Sequence, residues 1–105
     1  MADTLQTLQM TIRERRVSDP ALSYVAKLFS KGREKIAQKV GEEATEVVIA
    51  AMAGDPAKLT SEAADLIFHL LILLEEGGVS LEDVHAELDR REGLSGLAEK
   101  AARVD

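Results

Sequence analysis

The sequence predicts an all-α fold, a helical bundle in one small domain spanning residues 1–105, and three observations predict it. Of the 105 residues 46% are hydrophobic but only 3% are aromatic. The apolar content is therefore Ala, Leu, Val and Ile, which suits packed helices better than sheets. Apolar positions also recur at three- and four-residue spacing in five successive stretches. Finally, the two prolines each follow an aspartate, and glycines stand where the periodic stretches end.

Leu5, Leu8 and Ile12 mark a short first helix, with Thr4 as the expected N-cap and Arg13-Glu14-Arg15-Arg16 closing it. Asp19-Pro20 supplies a cap followed by proline in the first turn. It predicts a second helix over about 20–31, with Leu22, Val25, Leu28 and Phe29 on the buried side. A third helix runs from Arg33 to Ala53 and stops at Gly54. Asp55-Pro56 starts a fourth, which continues to Glu76 and ends at Gly77-Gly78. Ser80 with Asp83 three residues later announces a fifth, ending near Glu92-Gly93. Residues 94–105, with large apolar groups at Leu94 and Leu97 and then mostly small or charged residues, are expected to form a docked tail with a frayed terminus.

A net charge of −6 disfavours a general nucleic-acid or anionic-membrane surface, because either needs a basic excess. The absence of cysteine excludes disulfides and thiolate metal sites and agrees with a reducing compartment. No apolar run approaches the ~20 residues needed to span a bilayer, and the first residues lack a signal-peptide pattern. A cytoplasmic protein is the expectation.

The turn Gly54-Asp55 is so short that the third and fourth helices must form an antiparallel hairpin, with positions equally far from the turn side by side. At about 100° per residue, Glu43 falls among Ile36, Val40, Val47 and Ala50, on the apolar face, with Glu46 about 60° to one side. On the fourth helix Glu62 shares a stripe with Leu59, Leu66 and Leu73, and Asp65 borders it. Each helix thus offers two acids one turn apart. Most acids on helices are simply solvated, and that reading stands beside the other one: two matched pairs on facing helices suit a hard divalent cation such as Mg²⁺.

The run Val40-Gly41-Glu42-Glu43-Ala44-Thr45-Glu46, fifteen residues before Glu62-Ala63-Ala64-Asp65, resembles the EExxE…ExxD signature of the all-α nucleoside triphosphate pyrophosphohydrolases, the MazG-like superfamily. Within it the likeness is to the phosphoribosyl-ATP pyrophosphatase family of histidine biosynthesis. Ser23-Tyr24-Val25-Ala26-Lys27-Leu28, Gly32, Lys39, His69-Leu70-Leu71, Ser80-Leu81-Glu82-Asp83-Val84 and Leu94-Ser95-Gly96-Leu97 carry it along nearly the whole chain.

The resemblance implies a dimeric, Mg²⁺-dependent hydrolase (Mn²⁺ as an alternative ion) that converts phosphoribosyl-ATP to phosphoribosyl-AMP and pyrophosphate. It implies Glu43, Glu46, Glu62 and Asp65 as metal ligands, and a stand-alone form rather than one fused to the cyclohydrolase of the next step. The resemblance leaves Glu42 as a group supporting the ligands or a ligand to an additional ion, and as the unassigned acid on the same flank it is the one expected to orient or deprotonate the attacking water, making Glu42, Glu43 and Glu46 the catalytic acids of the third helix. Lys27, Lys31 and Lys39 offer charge to phosphates, and Ser23 and Tyr24 offer contacts to base or sugar. Tyr24 is equally readable as a core residue with its hydroxyl at the surface. His69, one turn beyond Asp65, is expected to hydrogen-bond that carboxylate, whereas His85 has no such company. Gly41, in mid-helix, suggests close approach of substrate or of another helix. Val47 to Ala53 and Leu66 to Leu74 are apolar around nearly the whole helix, which a 105-residue monomer hardly covers, so a homodimer is expected. Two alternatives remain: a house-cleaning (d)NTP pyrophosphatase, and a non-enzymatic helical interaction module.

Overall fold

The computed structural model describes residues 3–93, and among them the regular elements are five α-helices with no strand. They are α1 Thr4–Arg15, α2 Tyr24–Lys31, α3 Arg33–Met52, α4 Pro56–Glu76 and α5 Leu81–Arg91. The all-α expectation holds. None of these helices is long and apolar enough to cross a membrane. The tail expected over 94–105 lies outside the described residues.

Three helix starts follow the local chemistry read from the sequence or supply it anew. The Asp55 carboxylate accepts from the Lys58 N–H at 3.2 Å with Pro56 in the first turn of α4. Ser80 and Asp83 form the full reciprocal capping box of α5, at 3.1 and 2.9 Å. Ser23 caps α2, its Oγ accepting from the Ala26 N–H at 3.2 Å.

That last cap corrects the second helix, which starts at Tyr24 and not at Pro20. Asp19 does not open a helix. Its carboxylate accepts from the Ala21 N–H at 2.9 Å and its carbonyl from the N–H groups of Leu22 and Ser23, which closes a turn. An Asp-Pro pair serves a turn as well as a helix, and Ser23, with its extended backbone and its hydroxyl accepting from the Ala26 N–H, took over the capping role. Leu22 is consequently 86% exposed, not buried as its spacing suggested. In α1 the cap position belongs to Asp3, with no side-chain cap bond, and Thr4 is already helical.

Gly32, at φ 92°, lets the chain turn directly from α2 into α3 in a conformation that strains any residue with a Cβ. Helices α3 and α4 then pack together more extensively than any other pair, as an antiparallel hairpin across Ala53-Gly54-Asp55. Ile12, Ile36 and Ile72, one from each of α1, α3 and α4, are the largest fully buried side chains. Val25, Leu28, Leu71 and Leu81 complete the cluster.

Polar groups tie the outer helices to this core. The buried Gln9 accepts the Leu81 N–H at 2.6 Å, so α1 satisfies an orphan donor at the start of α5. At the other end of α4, Arg16 and Arg33 donate to the Glu75 and Glu76 carbonyls at 3.1 and 3.2 Å. Arg13 pairs with the Glu75 carboxylate at 2.7 Å, and Arg16 also lies 4.6 Å over the Phe29 ring. Cations at a helix C-terminus satisfy its free carbonyls and its dipole together.

Candidate active site

The hairpin register decides which acids meet. Glu43, Glu62 and Asp65 each place a carboxylate oxygen within 4.8 Å of the other two. Glu43 and Glu62 are half-buried and Asp65 is exposed, as their positions relative to the apolar stripes dictate. Glu46, assigned to the same group from spacing and resemblance, is exposed on α3 and is not part of this cluster. Three of the four acids are therefore brought together.

The cluster's nearest described ion-pair partner is Lys39, whose Nζ lies 3.4 Å from Glu43 Oε1 and 3.6 Å from Glu42 Oε1. Burial alone would lower the lysine pKa. The hydrogen bond to Glu43, with the charges of Tyr24, Glu43 and Glu42, outweighs it and raises the value above the ordinary one. One ammonium beside Glu43 leaves an excess of negative charge among three neighbouring carboxylates.

The donor set is entirely hard oxygen, the set Mg²⁺ takes. Ligands on opposite sides of one Mg²⁺ lie about 4 Å apart, so an oxygen group within 4.8 Å closes on an ion with small side-chain rotations. The residues present fit the ion.

Glu42 is exposed, accepts a hydrogen bond from Gln38 Nε2 at 3.1 Å and sits beside Lys39. The Gln38 bond first, then Lys39 and Lys35, hold its carboxyl below the usual range. It is an ionised acceptor of reduced basicity.

Tyr24 and His69 form a connection that spacing did not foretell. The Tyr24 hydroxyl turns inward to His69 Nε2 at 2.7 Å, and His69 Nδ1 lies 2.7 Å from the backbone carbonyl of Asp65. His69 is thus joined to Asp65, but through the main chain and not through the carboxylate as expected. Tyr24 is half-exposed by its ring, with the hydroxyl inside, the reverse of a core tyrosine with a surface hydroxyl. Phe68 backs the pair, 6.2 Å from the Tyr24 ring and 5.2 Å edge-on from His69. Burial above all raises the Tyr24 pKa, with Lys39 opposing and the acids Glu43, Asp65 and Glu42 adding to the rise. The signals available in the sequence were the single tyrosine of the chain and a histidine interrupting the apolar run Leu66 to Leu74. Neither contained the hydroxyl's direction.

Ser23, Tyr24, Lys27 and Lys31 line an open depression of about 630 Å³ on α2 and the turn before it. The Ser23 hydroxyl is engaged as the helix cap. Lys27 and Lys31 are exposed, and Tyr24 belongs both to this depression and to the surroundings of the acids. His85 is exposed on α5 and takes no part. Around Gly41 an added Cβ would meet nothing within 4 Å, so among the described residues no other helix approaches there.

The phosphoribosyl-ATP pyrophosphohydrolase family profile matches residues 5–92. A Rhizorhabdus wittichii protein named phosphoribosyl-ATP pyrophosphatase is 67% identical over 98% of this chain and 97% of its own length. Proteins of the same name from Erythrobacter litoralis and Zymomonas mobilis are 64% and 59% identical, over 98% and 96% of this chain and 99% and 94% of theirs.

Proposed function

The chain belongs to the phosphoribosyl-ATP pyrophosphohydrolase family, and from that premise we propose that it hydrolyses the α-β phosphoanhydride of phosphoribosyl-ATP, giving phosphoribosyl-AMP and pyrophosphate. The observation that carries the reading is the convergence of Glu43, Glu62 and Asp65 on two facing helices, next to Lys39. These three carboxylates would hold Mg²⁺, with Mn²⁺ as a substitute, and Glu46 would join on substrate binding or serve a further ion. When bound, the ion supplies charge neutralisation to the polyphosphate and acidifies a coordinated water.

The chain's own groups do the rest. Lys39 stands where it can take a phosphate oxygen on one side while it remains paired to Glu43 on the other. Lys27 and Lys31 extend the positive charge along α2, so the depression beside them receives the charged end of the nucleotide. Glu42, ionised and held by Gln38, orients the attacking water as a hydrogen-bond acceptor. Tyr24, at the border of depression and cluster, is placed to contact sugar or base.

The enzyme would act as a homodimer in the cytoplasm. Val48, Ile49, Met52, Ile67 and Leu70 stay exposed on α3 and α4, a burden of apolar surface that a second copy would cover. Light scattering at the mass of two chains is the expected result, and a single 11.4 kDa species contradicts it. For the activity, pyrophosphate release is measured with phosphoribosyl-ATP, ATP and dNTPs. Preference for phosphoribosyl-ATP is expected, and preference for dNTPs would reassign the substrate while leaving the chemistry intact.

A further inference from the structure

We propose that the depression on α2 seats the second charged end of the substrate, the 5′-phosphate of its phosphoribosyl group, and that Lys27 and Lys31 are specificity-determining residues that set phosphoribosyl-ATP apart from ATP and dNTPs. The inference rests on reading the acid cluster as the place of phosphoanhydride hydrolysis. Phosphoribosyl-ATP has two anionic ends. Its triphosphate is committed to the acids, where the α-β bond breaks. The phosphoribosyl group hangs from N1 of the purine, across the ring from the N9 that bears the other ribose, so its phosphate must find cations elsewhere.

Helix α2 leads to such a place. Its first residue, Tyr24, is bonded to His69, one turn beyond Asp65, and Arg33, just past its end, reaches the Glu76 carbonyl at 3.2 Å. Between these two contacts α2 advances along α4 away from the acids. At about 1.5 Å of rise per residue, Lys27 lies roughly one turn and Lys31 roughly two turns beyond Tyr24, the latter about 10 Å along the axis. Both line the depression together with Leu22, Ser23 and Tyr24.

The charge of the two lysines is uncommitted. Residues 20–33 hold three cations and no acid, in a chain of net charge −6. Arg33 is paired with Glu76 at 3.8 Å and Lys39 with Glu42 and Glu43, whereas among the described residues no acid pairs with Lys27 or Lys31. Four positions apart on one exposed helix face, the two ammoniums repel each other. A phosphate monoester, largely dianionic at neutral pH, relieves that repulsion by accepting from both. The Ser23 oxygen accepts from the Ala26 N–H, which leaves the hydroxyl proton for a third bond. The Tyr24 ring, half-exposed and tied inward through its hydroxyl, stands between the acids and the lysines, where the purine lies in this seating.

The test follows phosphoribosyl-ATP consumption by chromatography. Lys27→Gln/Lys31→Gln should raise the KM for phosphoribosyl-ATP at least about tenfold, the scale of losing one hydrogen bond to a charged group, with a smaller change in kcat. Phosphoribosyl-AMP and AMP, which differ only in the phosphoribosyl group, are then compared as inhibitors. The inhibition constant of phosphoribosyl-AMP should rise by the same factor as KM, while those of AMP and pyrophosphate stay as in wild type. Lys27→Arg/Lys31→Arg, which keeps both charges, should recover most of the loss. Circular dichroism verifies each fold, and the single variants decide should the double one misfold. Equal rises for phosphoribosyl-AMP and AMP, or a rise for pyrophosphate, would put the lysines at the triphosphate and overturn the inference. An active wild type whose Lys27→Gln/Lys31→Gln variant keeps every constant overturns this inference alone. A wild type that releases no pyrophosphate from phosphoribosyl-ATP overturns the functional reading with it.

Discussion

Glu62→Gln removes one of three neighbouring negative charges while keeping the side chain's size, and its effect should change sign with the divalent ion. Two unit charges 4.8 Å apart repel by about 1 kcal/mol in water and about 3.5 kcal/mol at an effective dielectric constant of 20. Asp65 is exposed and Glu62 only half-buried, which places each repulsion near the lower figure. Glu62 has two such neighbours, and Lys39 offsets part of the charge on Glu43. Neutralising Glu62 should therefore stabilise the metal-free protein by about 1–2 kcal/mol, a rise in Tm of about 5–10 °C for a domain of this length. Wild type should in turn gain about 2.7 kcal/mol when Mg²⁺ reaches a hundredfold its Kd, whereas the variant, lacking a ligand, should gain much less. Thermal melts followed by circular dichroism, in EDTA and in graded MgCl₂ at constant ionic strength, read both arms. The order of stability should invert between the two conditions. Equal melting points in EDTA together with equal stabilisation of both proteins by Mg²⁺ would refute the reasoning, since screening by salt treats them alike.

Gly41→Ala adds a methyl group in the middle of α3 where, among the described residues, nothing beyond its own helix backbone lies within 4 Å, so it should stabilise the protein by about 1 kcal/mol, visible as a higher urea midpoint. An unchanged or lower midpoint would mean that the space is occupied, as by a second copy. Ile72→Ala opens a cavity at a position with 0% exposure and should cost about 2–5 kcal/mol with the urea slope unchanged; a loss below about 1 kcal/mol would contradict its place in the core. Tyr24, the one tyrosine of the chain, has its pKa raised above the ordinary value of 10.0, chiefly by burial. A raised value in the folded state favours the neutral phenol. Its contribution to stability is therefore full below pH 10 and is lost as pH climbs through the folded value. Tyrosinate absorbance should appear above pH 10 in the native protein and move down toward it on unfolding, and ionisation at or below the ordinary value would refute the inward hydroxyl.

Much of the fold was legible because the helices carry their own punctuation. The capping box at Ser80 and the cap at Asp55 act within one turn, so the starts of α4 and α5 follow from local residues alone. Asp19-Pro20 shows where local reading stops. Both a helix cap and a turn satisfy that pair, and the choice fell to Ser23, four residues on, which binds the Ala26 N–H. The acid cluster was legible in outline, since helical spacing and a short turn bring Glu43 toward Glu62 and Asp65. That Glu46 stands apart depends on rotation of α3 about its axis, which packing of Ile36 and Ala50 decides. The Tyr24–His69 bond joins residues 45 apart in sequence on different helices, and no periodicity encodes it.

The most direct test of the central claim compares wild type with Asp65→Asn in pyrophosphate release from phosphoribosyl-ATP at saturating Mg²⁺, with each protein's fold verified by circular dichroism. Wild type should release one pyrophosphate per phosphoribosyl-AMP formed, and the folded variant should lose at least about a hundredfold in kcat/KM, the scale of removing a group that stabilises developing charge. A folded Asp65→Asn that turns over phosphoribosyl-ATP at the wild-type rate would contradict the assignment of hydrolysis to the Glu43, Glu62 and Asp65 cluster.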